Sequence, residues 1–84
     1  MKILKKKQTH KYYVLENNGK FFQDFGDENN YPIMCEYPVD AYTFGKRSDL
    51  AKSFLIEYSE RFKGFKVMQI TETITQTYKC KDTI

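Results

Sequence analysis

The sequence predicts an α+β domain: one helix packed on one face of a small antiparallel sheet, in the order strand, strand, strand, helix, strand. Three observations lead there. Two strand-rich runs flank an Asn-Gly pair, one stretch has apolar residues at helical spacing, and the C-terminal part alternates with a period of two.

Lys11–Glu16 and Lys20–Phe25 are the first two strands, with Asn17-Asn18-Gly19 between them. Asn-Gly between such runs signals a hairpin, because both residues tolerate positive φ. Two registers fit. A two-residue turn at Asn18-Gly19 pairs Leu15 with Phe22, whereas a three-residue loop ending at Gly19 sets Glu16 beside Lys20. Gly26–Glu36 then reads as an acidic loop and an apolar patch bracketed by Pro32 and Pro38. Ile33-Met34-Cys35 lies along the core or forms a short edge strand, because proline lacks the donor a central strand needs. Val39–Phe44 is the expected third strand, and Gly45-Lys46-Arg47 turns the chain.

Ser48 is a natural N-cap, with Asp49 in the first turn, where the helix dipole favours negative charge. Leu50, Ala51, Phe54, Leu55, Tyr58 and Phe62 follow on one stripe, and Gly64 sits where a left-handed C-terminal cap belongs. From Phe65 to about Tyr78 the chain alternates. Met68, Ile70, Ile74 and Tyr78 share one face, while Gln69, Thr71, Thr73, Thr75 and Thr77 share the other. Such a strand exceeds the usual length of about 5–6 residues. It must bend, project past its neighbours or pair outside the domain.

Aromatics make up 17% of the residues, with seven Phe and seven Tyr, so a thin core can still bury a large area. The formal net charge of +3 is unevenly spread. Lys2, Lys5, Lys6, Lys7 and Lys11 stand in the first eleven residues without an acid. The nine remaining basic residues face 11 acids, so the rest of the chain is mildly acidic. Residues 1–10 are therefore expected as a basic tail, 11–79 as a single domain and 80–84 as a frayed end. No run is apolar enough for a membrane span, and no apolar stretch follows the N-terminal lysines as in a secretory signal. Two cysteines without paired spacing, Cys35 and Cys80, fit a reducing compartment, so a cytoplasmic location is expected, while a single disulfide between them stays open.

The inventory for catalysis is poor. His10 is the only histidine and falls in the basic tail, without the fixed geometry that acid–base work needs. Cys35 and Cys80 lack the close spacing of a zinc site. The run Asp24, Asp27, Glu28 lacks the alternating oxygen ligands of a calcium loop. A cysteine-dependent enzyme that pairs His10 with Cys35 or Cys80 is a third reading, behind two binding ones; no enzyme, cofactor or metal is the expectation. Binding surfaces are easier to motivate. The threonine face of the last strand, at Thr71, Thr73 and Thr75, and the loop around Tyr31 and Tyr37 are candidate protein contacts. The last strand's edge can also join a second copy as a homodimer. Lys5, Lys6 and Lys7, with Tyr12, Tyr13, Phe21 and Phe22 nearby, offer a weak nucleic-acid contact.

Lysine outnumbers arginine 12 to 2, and Asn, Ile and Tyr are frequent, as in proteins of AT-rich genomes. Ala41-x-x-Phe44 followed by Ser48-x-x-Ala51-x-x-Phe54 is similar to a strand-to-helix stretch of small accessory proteins of phages and prophages of low-GC Gram-positive bacteria. That stretch covers under a fifth of the chain. The resemblance implies a compact, phage-encoded module that binds and redirects a host protein, with inhibitors of bacterial defence systems among the class. Inhibitors that imitate DNA carry dense negative charge, and this chain departs from that pattern. The leading expectation is a non-catalytic protein-interaction module, and the alternative is a nucleic-acid-binding accessory protein.

Overall fold

A computed structural model describes residues 1–26 and 31–84. Strands β1 (Lys2–Asn17), β2 (Lys20–Phe25) and β3 (Pro32–Cys35) precede helix α1 (Ser48–Glu57) and strand β4 (Lys66–Cys80). The strands form one antiparallel sheet in the order β3-β2-β1-β4. The α+β class and the element order thus match the sequence reading.

The hairpin takes the two-residue turn. Asn18 and Gly19 both have positive φ, 52° and 80°, and Asn17 pairs with Lys20 and Glu16 with Phe21. Glu16 therefore does not sit across from Lys20. Its carboxylate accepts the Gly19 backbone N–H at 2.8 Å and lies 3.3 Å from Lys66 Nζ, opposite it on β4. The Gly19 hydrogen bond, followed by Lys66, holds the Glu16 carboxyl below its ordinary range, although burial works against them. A lowered folded-state pKa gives stability that is complete above the ordinary glutamate value of about 4.3 and lost as pH falls through the lowered one. Glu16→Gln should cost stability at neutral pH, and that cost should shrink as pH falls below about 4. Urea unfolding midpoints of both proteins between pH 7 and pH 3 test this; a constant difference would show that Glu16 does not act through its charge.

The third strand differs from expectation. Pro32–Cys35, not Val39–Phe44, pairs with β2, through Phe21↔Cys35 and Phe22↔Met34, then Asp24↔Ile33 and Phe25↔Pro32 after a register shift. Pro32 is tolerated as the first residue of an edge strand. Pro38, whose fixed φ suits a helical first turn, instead starts a single 3₁₀ turn, Pro38–Asp40. Beyond it, Tyr42–Gly45 fills the gap where β1 and β2 diverge. Tyr42 N–H donates to Phe22 O at 2.9 Å, Phe44 N–H to Tyr13 O at 2.9 Å, and Tyr13 N–H to Gly45 O at 2.9 Å. Asp27 and Glu28 of the acidic run lie outside the described residues.

Helix α1 is shorter than its apolar stripe. It ends at Glu57, and the chain continues in turns that keep Phe62 on the core, with Phe62 N–H donating to Tyr58 O at 3.2 Å. Gly64, at φ +83°, belongs to the turn into β4 rather than to a helix cap. Ser48 is the first helical residue and caps nothing. The position before it is Arg47, whose guanidinium makes a two-point ion pair with Asp49 at 2.8 and 3.0 Å. Leu50, expected on the buried stripe, is 48% exposed. Leu15, Phe22, Ala51 and Phe62 form the buried cluster, with Tyr13, Phe25, Phe44, Phe54, Leu55, Tyr58, Phe65 and Val67 packed around it.

The largest departure concerns the termini of the sheet. Residues 2–10 are not a tail but the outer half of β1, paired with β4 from Lys2↔Cys80 to Glu16↔Lys66. The expected boundaries at 10/11 and 79/80 therefore fall inside or at the end of continuous strands, and only 81–84 lie beyond β4. Because β2 leaves β1 near the hairpin, Lys2–Lys11 and Thr71–Cys80 run on as a two-stranded arm. At about 3.4 Å per residue it is roughly 34 Å long. The molecule measures 63 × 26 × 20 Å, with a radius of gyration of 18.1 Å, against about 12 Å for a compact chain of this size.

Candidate functional site: the two-stranded arm

Directly opposed residues of an antiparallel pair share a face. The register β1–β4 therefore sorts the arm's side chains without ambiguity. One face carries Lys5↔Thr77, Lys7↔Thr75, Thr9↔Thr73 and Lys11↔Thr71, with Ile3↔Lys79 at the end. All ten are exposed, and no acid is among them. Farther along the same face, Leu15 and Val67 meet the helix side of the core. The opposite face carries Leu4↔Tyr78, Lys6↔Gln76, Gln8↔Ile74, His10↔Glu72 and Tyr12↔Ile70, and holds the arm's one acid.

The structure thus joins two sets of residues that the sequence presents as separate. Thr71, Thr73 and Thr75 stand directly across from Lys11, Thr9 and Lys7, and Lys5 continues the same row. Lys6 points to the other face. Tyr31 and Tyr37 are exposed, at 68% and 64%, but flank β3 at the far edge of the sheet. The aromatic quartet also divides. Phe22 is 2% exposed and belongs to the core, and Tyr13 packs against it.

At the root of the arm the cationic face opens into a hollow of about 580 Å³, lined by Thr9, His10, Lys11, Tyr13, Lys46 and Gln69. Tyr13 is fixed there by its two backbone hydrogen bonds to Phe44 and Gly45. Gln69 Nε2 donates to its hydroxyl at 3.4 Å. Gly45 adopts φ +61°, a left-handed conformation that glycine favours, and its N–H donates to Thr43 Oγ1 at 3.0 Å. The turn so formed places Lys46 on the lining of the hollow that Lys11 also lines. On the other face a smaller groove is lined by Tyr12, Pro38, Val39, Ala41, Thr43 and Glu72. The Tyr12 hydroxyl is closed off from solvent, and burial, then the charge of Glu72, pushes its pKa up.

The thiols do not form a reactive constellation. Cys35 lies on β3 and Cys80 at the end of β4, the two outer strands, and both are free. Burial and then Asp40 push the Cys35 thiol up, which leaves less of the nucleophilic thiolate. His10 pairs with Glu72, eight residues from Cys80, or roughly 27 Å along the strand. Among the described residues no group of three His, Cys, Asp or Glu side chains could hold a metal ion, and no helix is long and apolar enough to cross a membrane. No family model, curated protein or solved structure matches the chain.

Proposed function

We propose that the chain is a non-catalytic nucleic-acid-binding module whose contact surface is the lysine–threonine face of the arm. The observation that carries this reading is the row Lys5, Lys7, Lys11 facing the threonine ladder Thr71–Thr77 on an exposed face without acids. Lysines two apart on a strand stand about 7 Å from each other on one side, which suits successive phosphates. Threonine hydroxyls between them donate to phosphate oxygens. A two-stranded ribbon also fits the width of a B-DNA major groove, about 12 Å. Nothing on this face is built for bidentate base readout, so binding follows the backbone and is weakly selective for sequence. The test is fluorescence anisotropy with labelled DNA and RNA at 50 and 200 mM salt. Three neutralised phosphates give a salt slope of about −2 to −3, and no binding at low salt would remove the reading.

A second reading, a protein-interaction module that modulates a host protein, is favoured by one observation. From Met68 to Tyr78 the edge strand β4 carries one charge, Glu72, and its outer edge has no partner strand among the described residues. Lysines guard β1, whereas β4 keeps the composition that accepts an added strand. A phage-encoded inhibitor of a defence component, or a homodimer, would use this edge. Ile74, 40% exposed, is the probe. A host protein captured by the wild type from a Gram-positive lysate should be lost with Ile74→Lys; equal capture by both would count against β4.

A further inference from the structure

Resting on the nucleic-acid reading of the arm, we infer that the hollow at its root seats one unstacked base of a single strand. Lys11 and Lys46 meet the phosphates on either side. The module therefore takes single-stranded nucleic acid in preference to duplex.

Four features of the hollow lead to this occupant. At about 580 Å³ it is within the size of small-ligand sites, about 300–1,000 Å³, and larger than a phosphate needs. Its two lysines come from separate elements, Lys11 from β1 and Lys46 from the turn before α1, and no acid lines it. Its ring, that of Tyr13, packs on the core and its hydroxyl accepts from Gln69 Nε2, on a backbone bonded to Phe44 and Gly45, so a stacking platform exists before any ligand arrives. The Gln69 amide and the Thr9 hydroxyl supply donors and acceptors at the rim, as a base edge requires.

The position of the hollow matters as much as its lining. Lys5, Lys7 and Lys11 lead along one exposed face to it. A backbone following those lysines arrives with a base over Tyr13. The outer part of that face holds only lysines, threonines and Ile3, so the root is where this face offers a stacking ring. Stacking on an aromatic side chain tolerates every base. A duplex keeps its bases inside the stack, and extruding one has a cost that a single strand does not meet.

The experiment measures anisotropy of a labelled 12-nucleotide single strand and of a hairpin duplex, each as DNA and RNA, at low salt. The wild type should bind the single strand about tenfold more tightly, in line with one stacked base. Tyr13→Leu should bring the ratio of the two affinities close to one, and Tyr13→Phe should restore it. Because Tyr13 also packs on the core, Lys46→Glu on the exposed turn is the second variant; it should weaken single-strand binding more than duplex binding. A wild type with equal affinity for both forms, or a preference that survives Tyr13→Leu and Lys46→Glu, would overturn the inference while leaving the arm as a duplex-capable contact. Absence of binding to any of the four ligands would overturn it together with the reading on which it rests.

Discussion

Phe22→Ala should unfold the body of the molecule or leave it barely folded at room temperature. Phe22 is 2% exposed. Its ring centroid lies 5.0 Å from Phe62, 5.3 Å from Phe25, 5.7 Å from Phe54 and 6.0 Å from Tyr42. Those partners come from β2, the Tyr42–Gly45 wedge, α1 and the turn after it, so one ring ties together every layer of the core. Truncating a buried Phe to Ala typically costs about 3–5 kcal/mol, from lost burial plus the cavity left behind. A domain of 84 residues has roughly 4–13 kcal/mol in total. In a core this small the neighbours are themselves rings, which repack poorly into a void the shape of a ring. Thermal unfolding should show Tm lowered by at least about 12 °C, since each kcal/mol shifts a domain of this size by about 4–8 °C. Ile56→Ala is the comparison. Ile56 is 77% exposed on the same helix, so its loss should move Tm little. Similar shifts for the two variants would mean that the ring cluster does not hold the fold.

The elements that the sequence discloses are those whose signal is local. Asn18-Gly19 imposes positive φ on two successive residues, and the strands on either side follow from it. Ala51, Phe54 and Leu55 recur at helical spacing, and the alternation of Met68 to Tyr78 needs no partner to be read. What stays hidden depends on distant residues. Lys2–His10 reads as a tail because neither face of that strand meets a core, so its pattern carries no hydrophobic period. Its strand conformation comes from β4, more than sixty residues away along the chain. Val39–Phe44 misleads for the opposite reason. Its composition suits a strand, but Pro38 starts a 3₁₀ turn, and the backbone beyond it bonds to Phe22 and Tyr13 one at a time rather than in a ladder. The same division applies to the candidate site. The lysines and the threonines are each visible as unusual runs, but only the pairing Lys7↔Thr75 and Lys11↔Thr71 makes them one face. Lys46 and Gln69 give no hint of the hollow, since nothing near either residue in the chain refers to Tyr13.

Reversing the three β1 lysines of that face, Lys5→Glu, Lys7→Glu and Lys11→Glu together, should abolish nucleic-acid binding. Each reversal changes the charge by two, so the net charge falls from +3 to −3. Between 50 and 200 mM salt, counterion release should weaken the wild type about 40-fold on duplex, from three phosphates, and about 50-fold on a single strand, where Lys46 meets a fourth. The triple variant should lack both the binding and its salt dependence. Total charge alone could produce such a loss, so the decisive comparison is Lys20→Glu, Lys52→Glu and Lys63→Glu. These three lysines are also exposed and give the same net charge, but they lie at the hairpin turn, on α1 and in the turn before β4. If long-range attraction to the whole molecule governs binding, the two triple variants fail alike. If the arm makes the contacts, the second retains most of the affinity, because exposed charges farther apart than about 8–10 Å are largely screened at physiological salt. A third variant, Lys5→Gln, Lys7→Gln and Lys11→Gln, separates charge from disruption of the ribbon. It keeps long side chains across from the threonines without introducing repulsion, and it should bind weakly with a salt slope smaller than the wild type's by about 2 to 3. Full affinity in that variant would show that the lysines of the arm do not neutralise phosphates.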